Sequence, residues 1–482
     1  MSPQLTYTAI KDIPGVVDSL RNTFNSGLTK DVDFRKQQLR QLLLFMNEKR
    51  DDLMEALFSD LHKHRMESNI GEISSIIDEC QYMIKNLDRF TKPITTAKRF
   101  KMNALDKTII RKEAKGVVLV IGQLATNACL SSNTAAVITK FLPDYIDKRA
   151  FSFVNGGVEE TTTVLEQRFD HIFYTGNGVV GKIVMKAAAN HLTPVTLELG
   201  GKSPAVVAPD ADLDVTANRL VWGKFFNNGQ TCVAPDYVLV SKDQQEKLII
   251  AIRKTLLSYY TANPQNCDSY GRIISTRQFD RLKGLLDHYD SSQIAIGGKS
   301  DREDLFIEPT ILKSISYKDE HIMQQEIFGP ILPIIPVDHM EQAIQIINVR
   351  DQPLAMYIFA KSPAIYNNIL DKTNSGGAVV NDTLMHLQEL SLPFGGVGAS
   401  GMGSYHGEKS FDTFVHERST MIKSTGFESM LAARYPPYND DKDTMLSFLV
   451  YGLPSTASSK FKALMTVWSA AWNILFKNPA NP

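Results

Sequence analysis

His171-Ile-Phe-Tyr-Thr-Gly-Asn-Gly-Val-Val-Gly181, continued by KIVMKAAANHLT and closed by Pro194-Val-Thr-Leu-Glu-Leu-Gly200, passes from a β-rich run through a glycine turn and a helical segment into a second β-rich run. Strand, helix, strand in so short a span predicts two parallel strands joined by a crossover helix, and hence a sheet covered on both faces. Working outward, Val117–Gly122 (VVLVIG) and Phe151-Ser-Phe-Val154 read as further strands of the same sheet. Towards the N-terminus the period changes: Leu39, Leu42, Phe45, Met46, Leu53, Leu57 and Leu61 recur at helical spacing between Asp31 and His64, and Ile70–Phe90 repeats the pattern.

A second alternating series follows Gly200. It comprises strands at Ala205–Ala208, Tyr237–Val240, Gln293–Gly297, Ala355–Ala360 and Ala378–Asn381. Helices are expected at Leu213–Asn227, Gln245–Tyr259, Arg277–Tyr289, Glu341–Val349 and Ala364–Lys372. The expected fold class is α/β, with two doubly wound domains. The glycine-dense stretch Pro393–Gly403 (PFGGVGASGMG) reads as a loop without regular structure. The expected divisions are 1–199, helices and a dinucleotide-binding domain; 200–387, a catalytic domain; 388–425, a glycine-rich return; and 426–482, an amphipathic tail.

Bulk properties narrow the function. The 482 residues, 43% hydrophobic, suffice for two or three domains with a large core. Lys plus Arg total 52 against 53 Asp plus Glu, so no positive field gathers nucleic acid. The cysteines, Cys80, Cys129, Cys232 and Cys267, are widely spaced and form no Cys-x-x-Cys pair, which points away from a disulfide framework and a zinc ribbon and towards a reducing compartment. Glu320-His321 with Gln324-Gln325-Glu326 lacks a metal-ligand spacing, so no metal is expected. The N-terminus shows no basic start followed by an apolar run, so no secretion or transit signal is expected.

Three stretches carry candidate chemistry. Glu198 ends an apolar run before Gly200-Gly201, at the strand edge where open α/β sheets place their sites; taken alone it is either a solvated strand end or a base. Gly176-Asn177-Gly178-Val179-Val180-Gly181 fits G-x-G-x-x-G between a strand and a helix, where main-chain N–H groups and a helix N-terminus can hold a pyrophosphate. The same glycines would also serve a purely steric turn. Cys232, in Lys224–Val233 (KFFNNGQTCV), is either an inert small residue or a nucleophile, and its polar, turn-like surroundings favour the second.

Taken together, Tyr174-Thr-Gly-Asn177, Leu197-Glu-Leu-Gly-Gly-Lys-Ser-Pro204, Asn228-Gly-Gln-Thr-Cys232 and Gln325-Glu-Ile-Phe-Gly-Pro330 resemble, in order and spacing, the signatures of the aldehyde dehydrogenase superfamily. Pro393–Gly403, Ser404-Tyr-His-Gly407 and Arg434-Tyr-Pro-Pro-Tyr438 are similar to its class 3 branch, which includes fatty aldehyde dehydrogenase. The resemblance spans roughly residues 20 to 440. It implies oxidation of aliphatic aldehydes to acids with NAD or NADP, Cys232 forming a thiohemiacetal and then a thioester, and Glu198 acting as general base. It implies further that Glu326 holds the nicotinamide ribose, that Phe328 packs near the ring, and that Gly176–Gly181 lie beside the pyrophosphate. A homodimer with a bridging element is implied too.

The chain departs from that pattern after Gly122. The family's Trp-Asn-Tyr-Pro-like segment and the following strand with its Lys-Pro-Ser-Glu-like end are absent, and residues 123–150 leave room for one crossover helix only. The resemblance therefore implies loss of an oxyanion-binding amide and of adenosine-ribose contacts; Asn127 is a weak substitute, and an incomplete sheet near 123–150, with open edges or a gap, is expected. Two rival readings follow: a catalytically silent binding protein, and a cofactor-independent acyl-transfer activity of Cys232 with Glu198.

In the tail, Met445–Ser459 and Ala463–Phe476 are uncharged but too short to span a bilayer. In the second run Lys462, Thr466, Ser469, Asn473 and Lys477 form a polar stripe opposite Leu464, Trp468, Trp472 and Leu475. Two of the three tryptophans lie there, which suits a helix in a membrane interface, peripheral and on the cytoplasmic face; docking on the protein itself is the alternative.

Overall fold

Short, nearly continuous apolar runs, bounded by helical segments, build two sheets into one structural unit formed by residues 1–88 and 114–414; residues 89–113 and 415–482 form a second unit. The computed structural model describes residues 4–100, 103–122, 131–426, 428–452 and 457–477.

The first unit opens with helices α1 (Ile13–Ser26), α2 (Val32–Glu48), α3 (Arg50–Leu61) and α4 (Ser74–Phe90). Asp31 caps α2 by accepting from the N–H of Phe34 at 2.8 Å, and the helical run expected from Asp31 to His64 breaks at Lys49. Phe45, Met46, Leu53 and Ile73 form a buried cluster with Val137, Leu142 and Ile146.

The smaller sheet contains β1 (Val118–Ile121), β2 (His171–Gly176) and β3 (Val195–Leu199), all parallel. Helices α5 (Ser132–Phe141), α6 (Val158–Leu165) and α7 (Gly178–Ala189) lie in its connections. One face buries Ile172, Tyr174, Leu197 and Leu199 against Ile13, Val17, Val164 and Val184. The alternate residues Thr196 and Glu198 point to the other face, as the pleat requires.

The larger sheet is assembled from β4 (Pro204–Val207), β5 (Tyr237–Ser241), β6 (Ile294–Ile296), β7 (Thr310–Leu312), β8 (Ile331–Val337), β9 (Ala355–Phe359) and β10 (Gly377–Val380), in the order β10-β9-β4-β5-β8-β7-β6. The pairings are parallel except β7 with β6. Helices α8 (Leu213–Phe225) and α9 (Gln245–Tyr260) cover one face; α10 (Thr276–Leu286), α11 (Met340–Asn348) and α12 (Pro363–Lys372) cover the other. Val206, Leu239, Ile335 and Ile358 feed one core, Val207, Val238, Ile334 and Tyr357 the other.

Two sequence expectations need correction. Phe151–Val154 is not a strand, because a strand exists through its ladder and no described strand pairs with this segment. Pro393–Gly403 is not wholly irregular: Gly401–Met402 forms β11, antiparallel to β3, with Gly401 opposite Glu198. Gly401 has φ +143°, and a Cβ there would lie 2.1 Å from the carbonyl oxygen of Leu197, so only glycine lets this segment join the edge. The described smaller sheet runs in the order β11-β3-β2-β1, which leaves β1 as an edge strand with Val120 exposed. Asn127 lies outside the described residues.

In the second unit, Ile94–Thr95, Lys107–Ala114 and Val415–Ile422 make a three-stranded sheet. Helices α13 (Asp440–Tyr451) and α14 (Ala457–Trp472) pack together, burying Ala432, Ala433 and Ile474 with Met445 and Leu446. The row Phe461, Met465, Trp468, Trp472 and Phe476 is exposed, with Trp468 and Trp472 stacked at 6.0 Å and the Phe476 ring tilted against Trp472 at 4.5 Å. The side chains of Leu475 and Lys477, and Pro454, lie outside the description. No described helix is long and apolar enough to cross a membrane.

The crossover helix α5 is capped from another element. The Asp60 carboxylate, on α3, accepts from the N–H groups of Asn133 (3.1 Å) and Thr134 (2.9 Å) and from both their side chains (2.8 Å each). A carboxylate on otherwise unpaired first-turn N–H groups also meets the positive end of the helix dipole. Asp60→Ala is expected to lower stability by about 2 kcal/mol, with Asp60→Asn retaining part of it; an unchanged thermal midpoint for Asp60→Ala would contradict the cap.

Candidate active site

At the C-terminal end of β3, Glu198 lies between Thr175 of β2 and Gly401 of β11. It is 3% exposed, and neither carboxylate oxygen has a hydrogen-bond partner. Burial pushes its pKa up to about 8. Such a group is neutral at rest and ionises just above neutrality, the range suited to a general base.

The glycines after it bring in a second carboxylate. A Cβ on Gly200 would sit 2.1 Å from a Glu326 oxygen, so the bare backbone is what admits that side chain. The N–H of Gly201 donates to the Glu326 carboxylate, whose pKa burial nonetheless raises to about 8. Lys202 straps the same turn down. Its Nζ pairs with Asp236 and donates to the carbonyls of Ile322 (2.8 Å) and Gln325 (3.0 Å), while Asp236 accepts from the N–H of Ile327 at 2.9 Å. Arg281 reaches the Ile327 carbonyl at 2.6 Å from the other side. Phe328, half-buried, stands at the crown of this turn with φ +48°, a conformation its pinned flanks impose.

Cys232 follows the end of α8. Asn227, Asn228 and Gly229 have φ of 51°, 57° and 73°, turning the chain sharply. A Cβ on Gly229 would lie 2.3 Å from the carbonyl oxygen of Gly329, so the cysteine turn seats directly on the Gln325–Pro330 turn. Tyr357, from β9, donates to the carbonyl of Val233 at 2.5 Å. The thiol has its pKa pushed up to about 12, chiefly by burial and then by the negative charges of Glu326 and Glu198; the N–H groups of Cys232 and Val233 act the other way. Cys232, Glu198 and Glu326 therefore share one electrostatic neighbourhood. Tyr405 belongs to it as well, since both Glu198 and Cys232 raise its pKa.

The glycine turn Gly176–Gly181 starts beside this group, with Gly176 opposite Leu199 in the ladder. Asn177 caps α7 through the N–H of Val180 (3.0 Å), and Tyr174 donates to the Asn177 carbonyl at 3.2 Å. A Cβ on Gly181 would meet Leu199 at 2.9 Å, so the third glycine sets how closely helix and strand pack. Gly178 faces open space and Val179 is 73% exposed, leaving the helix N-terminus accessible to an anion. The candidates thus lie along the ends of β2 and β3 and on two turns packed against each other. Sequence reading missed Tyr357, Tyr405 and the Lys202–Asp236 clamp; the two clamp residues stand inside or just beyond quoted motifs, but their pairing is a property of the fold.

Comparison with known proteins places this arrangement. The model of the aldehyde dehydrogenase family matches residues 123–420. The rat protein "Aldehyde dehydrogenase family 3 member A2" is 44% identical over 456 residues, covering 90% of this chain and 93% of that protein. The human "Aldehyde dehydrogenase family 3 member B1" is 44% identical over 449 residues, covering 89% and 95%. The solved structure described as "Substrate bound state of Staphylococcus Aureus AldH" superposes with a TM-score of 0.86 at 39% identity, covering 90% of this chain and 99% of that one. A Mycobacterium tuberculosis aldehyde dehydrogenase complexed with NAD+ shares the fold, with a TM-score of 0.76 at 23% identity and coverage of 88% and 92%.

The raised pKa of Glu198 has a consequence for stability. Its ordinary value is 4.5 and its folded value about 8, so between those pH values unfolding releases its proton and the folded state is progressively disfavoured as pH rises. In Glu198→Gln that contribution is absent. The thermal midpoint of the wild type should fall relative to that of the variant between pH 5 and pH 8; a constant offset would show that Glu198 is not buried neutral.

Proposed function

The chain belongs to the aldehyde dehydrogenase family, and we propose that it oxidises aliphatic aldehydes of medium or long chain to carboxylic acids with NAD or NADP at a membrane surface. The observation that carries the chemistry is the unpartnered, buried Glu198 carboxylate in the electrostatic neighbourhood of the Cys232 thiol. We assign 1–199 to cofactor binding, 200–387 to catalysis, 388–425 to a return segment and 426–482 to the tail, and expect a homodimer.

The residues fit a nicotinamide dinucleotide. Gly176–Gly181 offer an open turn and a helix N-terminus for the pyrophosphate, Glu326 a carboxylate for ribose hydroxyls, and Phe328 an aromatic face for the ring. When bound, NAD or NADP supplies the hydride acceptor. Cys232 attacks the aldehyde carbonyl, forming a carbon–sulfur bond and a thiohemiacetal; loss of hydride leaves a thioester, which water hydrolyses to the acid and the free thiol.

Glu198 accepts the proton, first from the thiol and later from the attacking water. The thiol's pKa stands above that of the carboxylate, so the first transfer is uphill, but the proton's arrival on Glu198 removes one of the charges that oppose the thiolate. The N–H groups of Cys232 and Val233 partly stabilise the thiolate as it forms. Full-length similarity to dehydrogenases lends no support to the silent binding-protein reading.

The membrane assignment is supported by the exposed row Phe461, Met465, Trp468, Trp472 and Phe476, which the packing of α14 on α13 leaves outward. Such a face gains free energy at an interfacial boundary and sets the enzyme where long-chain aldehydes partition. With decanal and either cofactor, wild-type protein should form NADH or NADPH, and Cys232→Ala should form none; a fully active Cys232→Ala would refute the assignment. Trp468→Ser with Trp472→Ser should shift the protein out of the floating fraction with anionic vesicles, and equal flotation of both proteins would remove the tail from membrane binding.

A further inference from the structure

Under the turn that carries Cys232 lies a carboxylate that the chemistry above does not use. Glu67 sits in the short helix Arg65–Ser68, and its Oε2 accepts from the main-chain N–H of Asn227 at 3.2 Å. Asn227 is the first of two successive non-glycine residues in the left-handed region, a conformation that L side chains rarely adopt. It persists only where its surroundings over-determine it.

The other restraints on this turn are bonds between neutral groups. Asn227 Nδ2 donates to the Gln230 carbonyl (2.9 Å), Asn228 Nδ2 to Gly271 (2.7 Å) and Gln230 Nε2 to Arg272 (2.9 Å), while Gln230 Oε1 accepts from Ile274 N–H (3.0 Å). The Phe226 ring is wedged over Gly71, where a Cβ would lie 2.7 Å from Cζ, and Lys63 Nζ lies 5.3 Å from the ring centroid. Lys63 is itself 2.7 Å from Glu72. The titratable groups facing Glu67 are Lys63 and Glu72 from its own segment and Tyr260 from α9.

We propose that Glu67 is a positioning residue for the nucleophile: through the Asn227 N–H it fixes the left-handed turn and hence where the Cys232 sulfur stands. This rests on Cys232 being the nucleophile. Glu67 is the one titratable acceptor among these hydrogen bonds, and an ionised carboxylate holds an N–H more strongly than a neutral one. Burial raises its pKa to about 7, with Lys63 and the Asn227 N–H opposing, so the hold tightens as pH rises through neutrality. Cys232 stands five residues beyond Asn227, and a catalytic atom tolerates misplacement of only about 0.5 Å.

Full-length Glu67→Ala and Glu67→Gln, each checked for a cooperative thermal transition, are compared with wild type in two assays. One is the rate of Cys232 alkylation by iodoacetamide from pH 6 to pH 9; the other is kcat and KM with decanal and the preferred cofactor. Glu67→Ala should lower the alkylation rate and kcat by about tenfold with KM for cofactor changed less than about twofold. Glu67→Gln, which keeps an acceptor but no charge, should recover to within about threefold and lose the rise in alkylation rate centred near pH 7, keeping the rise due to Glu198. A folded Glu67→Ala that matches wild type in both assays overturns the proposal. Should Glu67→Ala not fold, a Glu67→Gln alkylation profile superimposable on wild type overturns it instead. If the wild type oxidises no aldehyde while Cys232 alkylation still responds to Glu67, the dehydrogenase reading fails and the positioning role stands.

Discussion

Two close approaches, each possible only because a glycine lacks a side chain, hold the site together. Gly200 lets the Glu326 carboxylate lie against the end of β3, and Gly229 lets the cysteine turn rest on the carbonyl of Gly329. Segments far apart in sequence, 198–202, 229–236 and 325–329, converge through these contacts, and the Lys202–Asp236 pair then ties them. An added methyl at Gly229 would push against the main chain of Gly329, which has little room to move, whereas one at Gly200 would displace the Glu326 carboxylate from the end of β3. Seen this way, the signature motifs are mutual spacers as much as carriers of reactive groups.

The site is electrostatically expensive. Glu198 is buried without a partner, Glu326 is raised to about 8, and Lys224, wholly buried with no hydrogen-bond partner for its Nζ, is lowered to about 8. Each of these groups would be better solvated in the unfolded chain. The cores on both faces of the larger sheet, with Leu220, Val238, Ile334, Ile335 and Ile358 fully or almost fully enclosed, offset the cost. Stability is thus concentrated in the sheet cores, while Glu198 and Lys224 stand near strand and helix ends without a polar partner.

Most of the strand and helix order was legible, since strands buried on both faces read as short apolar runs and the helices as three-and-four spacing. The central strand β8 was not, because Ile331-Leu-Pro-Ile-Ile-Pro-Val337 carries two prolines that usually mark an edge. Its prolines stand three residues apart and so turn to opposite neighbours, each forfeiting one ladder bond, which a strand buried on both faces tolerates. Phe151–Val154 erred the other way, with strand-like composition but no described strand paired to it. Cys232, Glu198 and Glu326 were legible because motif spacing names residue types. Glu67, Tyr357 and Tyr405 were not, because their importance lies in what they touch.

The exposed aromatic row on α14 also determines what light reports about this protein. Of three indoles, Trp222 packs partly buried against the larger core, while Trp468 and Trp472 are 69% and 49% exposed and stacked on each other. Intrinsic emission is therefore weighted towards the polarity around one C-terminal helix. Transfer of that helix from water into lipid would register as a spectral blue shift while the catalytic fold stayed unchanged.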